Sequence, residues 1–179
     1  MKHKYIPSIF FIAIFLSLFV VAASGQVSDE ADPAKDFYRL TKAAPAAFND
    51  GKHDRAIEMS KQLLAEAEAW KDNWNYGNAI HAANLVLGRV ALARDEIDEA
   101  KIFLLAAGKT PGSPQLNSFG PDMLFASELL KKGERETVLE YFDLCAKFWK
   151  PRLARLEEWK AQVARGETPD FGANVRYFF

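Results

Sequence analysis

The sequence predicts an all-α protein, and three observations carry that prediction. No run of strand length alternates apolar and polar residues with the Val, Ile and Thr enrichment of a β-strand. Helix-favouring stretches are instead separated by short polar breakers: Asn49-Asp50-Gly51, Asp72-Asn73, Arg94-Asp95, Lys109-Thr110-Pro111-Gly112-Ser113-Pro114, Lys131-Lys132-Gly133 and Pro151. Three of those breakers share one design, a polar turn followed about five residues later by a small apolar residue: Ala56, Ala100 and Val138.

The 179 residues are 49% hydrophobic and 26% charged, which fits one globular domain and excludes a disordered tail protein. A net charge of -1 lacks the basic footprint of a nucleic-acid binder. One cysteine, Cys145, can form neither an internal disulfide nor a thiolate cluster, so stability is expected from a packed core.

In chain order, Met1-Lys2-His3-Lys4-Tyr5 is followed by an uncharged apolar run from Ile6 to Val21 and then by Ala22-Ala23-Ser24-Gly25. A charged start, an apolar middle and small residues at the end make a secretory signal peptide over 1–24. The apolar run is shorter than the ~18 to 20 residues that span a bilayer, so cleavage is expected rather than anchoring. The chain is therefore expected to be exported, periplasmic or secreted. Residues 25–36 read as a polar lead-in, 37–165 as the helical domain and 166–179 as a C-terminal tail.

Within the domain, each breaker ends one helix and starts the next, and the shared design recurs about every 40 residues, the period of a helix-hairpin repeat. Gly88, Ala100 and Ala107 carry almost no side chain, so two helices can cross closely there, with Leu85, Leu87, Leu92, Ile97, Leu104 and Leu105 filling the flanks. Gly88 is expected to face Ala100 and Ala107. Pro151 opens a last helix with Leu153, Leu156, Trp159 and Val163 on one face, and Gly166 ends it. That helix caps the stack.

The stretch from His81 to Pro114, with Leu87-Gly88, Ala100, Leu104, Ala107 and Pro111, resembles the tetratricopeptide repeat (TPR) family. Phe37 to Glu68 and Phe119 to Pro151 are degenerate copies, while Asn84 and Ala91 stand where the family carries aromatic residues. The resemblance implies a TPR-like solenoid of about three hairpins with a C-terminal capping helix. It also implies a groove lined by the first helix of each hairpin. Carried over residue by residue, that groove comprises Leu85, Arg89, Met123, Ser127 and Lys131. The implied function is a non-catalytic scaffold for a protein or peptide, and Arg89 and Lys131 point to an acidic partner. The alternative is a small-ligand binder or enzyme with an aromatic-rich pocket between helices, drawing on Trp70, Trp74, Tyr76, Trp149 and Trp159; packing is the favoured role for these rings.

Other chemistry is weaker. Gly108-Lys109-Thr110 ends like a phosphate loop, but no strand precedes it and Pro111 follows, so it reads as a helix C-terminal turn. His53 and His81 have no neighbouring ligands in sequence and read as surface or boundary residues, so no metal and no cofactor are expected. Cys145 lies among Tyr141, Phe142, Leu144 and Phe148 and reads as a buried small hydrophobe. Arg176-Tyr177-Phe178-Phe179 reads as a tail whose rings dock on the helices. Lys109 to Met123 reads as a linker.

Overall fold

A computed structural model describes residues 33–175. The expected signal peptide, the first part of the lead-in and the aromatic ending at Arg176–Phe179 lie outside the described residues.

The described residues form helices and no strand, which establishes the all-α class. Helix α1 (Pro33–Asn49) and helix α2 (His53–Ala67) form the first hairpin, and a 3-10 turn at Glu68–Trp70 leads to α3 (Tyr76–Ala93). Helix α3 pairs with α4 (Ile97–Gly108), and a short helix, α5 (Pro114–Phe119), leads to α6 (Leu124–Lys131) and α7 (Arg135–Cys145). A 3-10 turn at Lys150–Arg152 opens α8 (Leu153–Ala164), and a last turn covers Gly172–Val175. Helix α3 also packs on α1 and α2, α7 on α4, and α8 on α7.

The three hairpin turns are the same object in backbone terms. Gly51, Asp95 and Gly133 have φ of 74°, 60° and 90°. In each turn the next amide reaches back to the helix it has just left: Lys52 N–H to Ala47 O, Glu96 N–H to Ala91 O and Glu134 N–H to Leu129 O, at 2.9, 3.0 and 3.1 Å. Gly51, Asp95 and Gly133 donate to Phe48, Leu92 and Leu130, completing a Schellman closure each time. Lys52, Glu96 and Glu134 then start the following helix with φ near -80° and ψ of 62°, 67° and 57°. Their carbonyls take the first helical bonds, from Ala56, Ala100 and Val138, which are fully buried. Gly166 (φ 83°) closes α8 by the same pair of bonds.

Asp95 is the one non-glycine in the left-handed region among the described residues. A Cβ costs energy there, and the Asp95–Lys132 ion pair at 3.0 Å is exposed and worth little. Asp95→Gly should raise stability by about 0.5 kcal/mol, read as a higher urea midpoint; a lowered midpoint would mean that Asp95 contributes more than its backbone costs.

Gly88 is a close-contact position, but its neighbours differ from those expected. The atoms nearest to a Cβ there belong to the ring of fully buried Phe125 on α6, which it would overlap, and to Phe103 on α4, rather than to Ala100 or Ala107. The glycine admits an aromatic ring from the next hairpin. The stretch read as a linker holds α5, started by Ser113 Oγ, which accepts from Leu116 N–H at 3.0 Å, with Pro114 in the first turn. On α8, Leu156, Trp159 and Val163 are buried as expected, whereas Leu153 is exposed.

The last seam is aromatic. Phe142, Trp149, Trp159 and Phe171 pack with ring centroids 5.0 to 6.2 Å apart. Asn174 ties this seam to the loop before α6: its Nδ2 donates to Phe119 O and Pro121 O at 3.1 and 2.9 Å, and its carbonyl accepts from Met123 N–H at 2.8 Å.

Candidate functional site

A cavity of about 530 Å³ lies between three walls. The first is one face of α1, with Tyr38, Thr41, Lys42 and Pro45. The second is one face of α3, with Asn78, His81, Ala82 and Leu85. Both sets follow the spacing i, i+3, i+4, i+7, so each is a single helical stripe. The third wall is α5 and the loop after it, with Gln115, Leu116, Phe119, Gly120 and Asp122; Trp74 and Asn75 close the end before α3. Trp74 is 51% exposed and stacks on Tyr38 at 5.4 Å.

A hydrogen-bond chain ties the walls together. Thr41 Oγ1 donates to Phe37 O at 3.0 Å and accepts from Asn75 Nδ2 at 3.0 Å. Asn78 Nδ2 donates to Asn75 Oδ1 and to Gln115 Oε1 at 3.0 and 3.1 Å, and Asn78 Oδ1 accepts from Ser113 Oγ. These groups hold one another.

His81 is buried, a correction to the boundary position expected for it; Ala79, Ala82 and Ala83 beside it are buried too, because α3 is covered by neighbours on most sides. Its Nδ1 faces Ala107 O at 3.1 Å, and its Nε2 accepts from the backbone N–H of Asp122 at 3.3 Å. Those partners fix the neutral tautomer with the proton on Nδ1. Burial lowers its pKa to about 4, against the opposing bond to Ala107.

Asp122 is only 6% exposed. Its Oδ1 accepts from Leu124 N–H at 2.7 Å, its carbonyl accepts from Tyr141 Oη at 3.0 Å, and among the described residues its Oδ2 has no partner. Burial raises the carboxyl pKa to about 7, and Glu128 adds to the rise; the Leu124 bond and the charge of Arg89 oppose it.

The residues expected to line a groove are dispersed. Leu85 lines the cavity and is fully buried. Met123 is fully buried in the core, Ser127 is half-buried and Lys131 is exposed. Arg89 grips a carboxylate of this chain: its Nε and Nη2 donate to Glu128 Oε2 and Oε1 at 2.9 and 2.8 Å, and its guanidinium lies 4.4 Å from the Phe48 ring centroid. The expected clamp on a partner is thus a staple between α3 and α6 that also touches α1. Glu128 is about a quarter exposed, so Glu128→Ala, which leaves the guanidinium without its paired carboxylate, should cost about 2 kcal/mol in a urea melt. A loss below ~0.5 kcal/mol would mean that water replaces the carboxylate fully.

The aromatic residues divide. Trp149 and Trp159 are seam packing, Trp70 stacks on Phe37 at 6.2 Å, Tyr76 packs partly buried beside it, and Trp74 stands at the cavity mouth. Cys145 is fully buried, and burial pushes its thiol pKa far above the usual range. Among the described residues no three His, Cys, Asp or Glu side chains converge to hold a metal, and no helix is long and apolar enough to cross a membrane. Asp122 escaped the sequence reading because it lay in the supposed linker; its place two residues before Leu124, as a turn acceptor at the start of an apolar helix, was the available signal.

Compared with known proteins, the chain matches no family model, no curated protein and no solved structure.

Proposed function

We propose that this protein is an exported, non-catalytic binding module, a TPR-like stack of three hairpins capped by α8, and that it recognises a protein or peptide segment by taking a bulky apolar group into the cavity. One observation carries the reading: the cavity is built from single stripes of α1 and α3, the first helices of successive hairpins. In a hairpin stack those helices make the inner surface. The three equivalent Schellman turns support the repeat, and the signal-like residues 1–24 support export. A binding role fits the site's chemistry, because both nitrogens of His81 are engaged and leave Asp122 without a free base beside it.

A second reading, a small ligand held inside, is favoured by the volume, which falls within the ~300 to 1,000 Å³ of small-molecule sites. One variant tests both. Ala82 lines the cavity, and Ala82→Phe places a ring in it. Peptides or small molecules selected on the full chain should lose at least tenfold in affinity on this variant with its melting temperature little changed. Unaltered affinity would place the recognition surface elsewhere.

A further inference from the structure

We propose that the cavity holds a single-chain amphiphile with a carboxylate head, the apolar chain lying inside against Pro45, Ala82, Leu85 and Leu116 and the head meeting Lys42 and Tyr38 at the rim. This deepens the cavity-binding reading above, in its small-ligand version, and rests on it.

The polar atoms of the lining divide into those already engaged and those left for a ligand. Thr41, Asn75 and Asn78 bond to one another, to Gln115 and to Ser113, and both ring nitrogens of His81 are taken. Asp122 Oδ2 is buried out of a ligand's reach. What remains is a set of donors. Tyr38 Oη accepts from Asn73 Nδ2 at 2.8 Å and keeps its own proton to give. Gln115 Oε1 is used by Asn78, which leaves the Gln115 amide N–H₂. Lys42 is exposed and makes no ion pair among the described residues, whereas the nearest basic residues on either side of it in sequence, Arg39 and Lys52, are paired with Asp36 and Asp50.

Tyr38 and Lys42 stand one turn apart on the α1 stripe that faces the cavity, so their side chains are neighbours on one helix face. They place a hydroxyl proton and an ammonium side by side at the edge of a largely apolar interior. A carboxylate only accepts and has two oxygens, so it can take both donors at once. The two halves of the ligand do different work. An exposed ion pair alone is worth little, so affinity comes from taking the chain out of water, and the rim decides which head the chain carries. Arg89 grips Glu128, so the cation that this cavity offers to an acidic group is Lys42.

Octanoate, 1-octanol and octylamine, titrated into the full chain at pH 6 by ligand-detected NMR, compare the heads at constant chain length. At that pH the Asp122 carboxyl, near 7, is mostly protonated and sets no opposing charge in the wall, while octanoate is ionised. Octanoate should bind at least about fivefold tighter than 1-octanol, and octylamine weakest. Lys42→Glu, at an exposed position that should leave the melting temperature unchanged, should make octylamine the tightest of the three and keep 1-octanol within about twofold of its original affinity. Ala82→Phe should abolish binding of all three. If octanoate and 1-octanol bind alike, or if Lys42→Glu keeps the carboxylate preference, the carboxylate inference is overturned while the cavity reading stands. If none of the three binds, the amphiphile inference is overturned, and the peptide version of the cavity reading stands or falls on peptides selected on the full chain and their response to Ala82→Phe.

Discussion

Asp122→Asn should raise the melting temperature at pH 8 and leave it nearly unchanged at pH 4. The unfolded chain releases the Asp122 proton near the ordinary value of ~3.9, whereas the folded chain holds it to about 7 because burial disfavours the charge. Below pH 4 both states are protonated, and the acid and the amide behave alike. Between those values the folded state binds the extra proton, so stability falls as pH rises, by about 1.4 kcal/mol per unit. Above pH 7 the accumulated cost reaches about 4 kcal/mol, and asparagine does not incur it. The new amide N–H₂ returns part of the gain if it stays unpaired, about 1 to 3 kcal/mol.

His81 contributes the opposite slope. Its folded pKa is about 4 and its unfolded value ~6.5, so in that window the unfolded chain binds the extra proton and stability rises with pH. Folding at pH 5 therefore neutralises one cation and one anion at adjacent positions, and their contributions to the pH dependence offset each other between about 4 and 6.5. Each single variant removes that compensation. Asp122→Asn should lose about 3 kcal/mol on acidification from 6.5 to 4, and His81→Gln should lose stability in the other direction, as pH rises from 4 to 7. Urea midpoints at half-unit steps of pH measure this. Flat profiles in both variants would show that the two groups titrate normally in the folded chain. Arg89, Glu128 and Tyr141 surround the pair and are present in every variant, so they do not distinguish one profile from another.

Gly88→Leu should destabilise the protein by about 3 kcal/mol, with Gly88→Ala intermediate. The first carbon added already overlaps the Phe125 ring, and Phe125 is fully buried with Phe103 beside it, so the ring has no solvent-facing space into which to turn. Because Phe125 belongs to α6, the damage lies between hairpins rather than within one. A urea melt reads the size of the effect. An unchanged midpoint would mean that α6 slides to accommodate the side chain, and that the contact between the second and third hairpins is loose.

What the sequence disclosed and what it hid divide along chain distance. The hairpin turns were legible because a left-handed residue at Gly51 or Gly133, and the polar run around Asp95, are local signals that need no knowledge of the rest of the chain. The small residues Ala56, Ala100 and Val138 followed at a fixed offset. Helix α5 was missed although Ser113-Pro114 is a start signal, because a segment dense in Gly and Pro reads as loop. The burial of His81 was hidden because its neighbours in sequence give no sign that α1, α2 and α4 all cover α3. The partner of Arg89 lies 39 positions away on another helix, beyond any periodicity. The cavity itself needs α1, α3 and α5 together, and no window of sequence contains all three.

The bonds from Asn174 make one wall of the cavity depend on a distant segment. They reach Pro121 and Phe119 across 53 and 55 positions, and Tyr141 reaches the Asp122 carbonyl across 19. The loop that carries Asp122 is thus braced by the seam around Trp159 and Phe171, so a change in that seam is transmitted to the third wall through the loop rather than through α1 or α3.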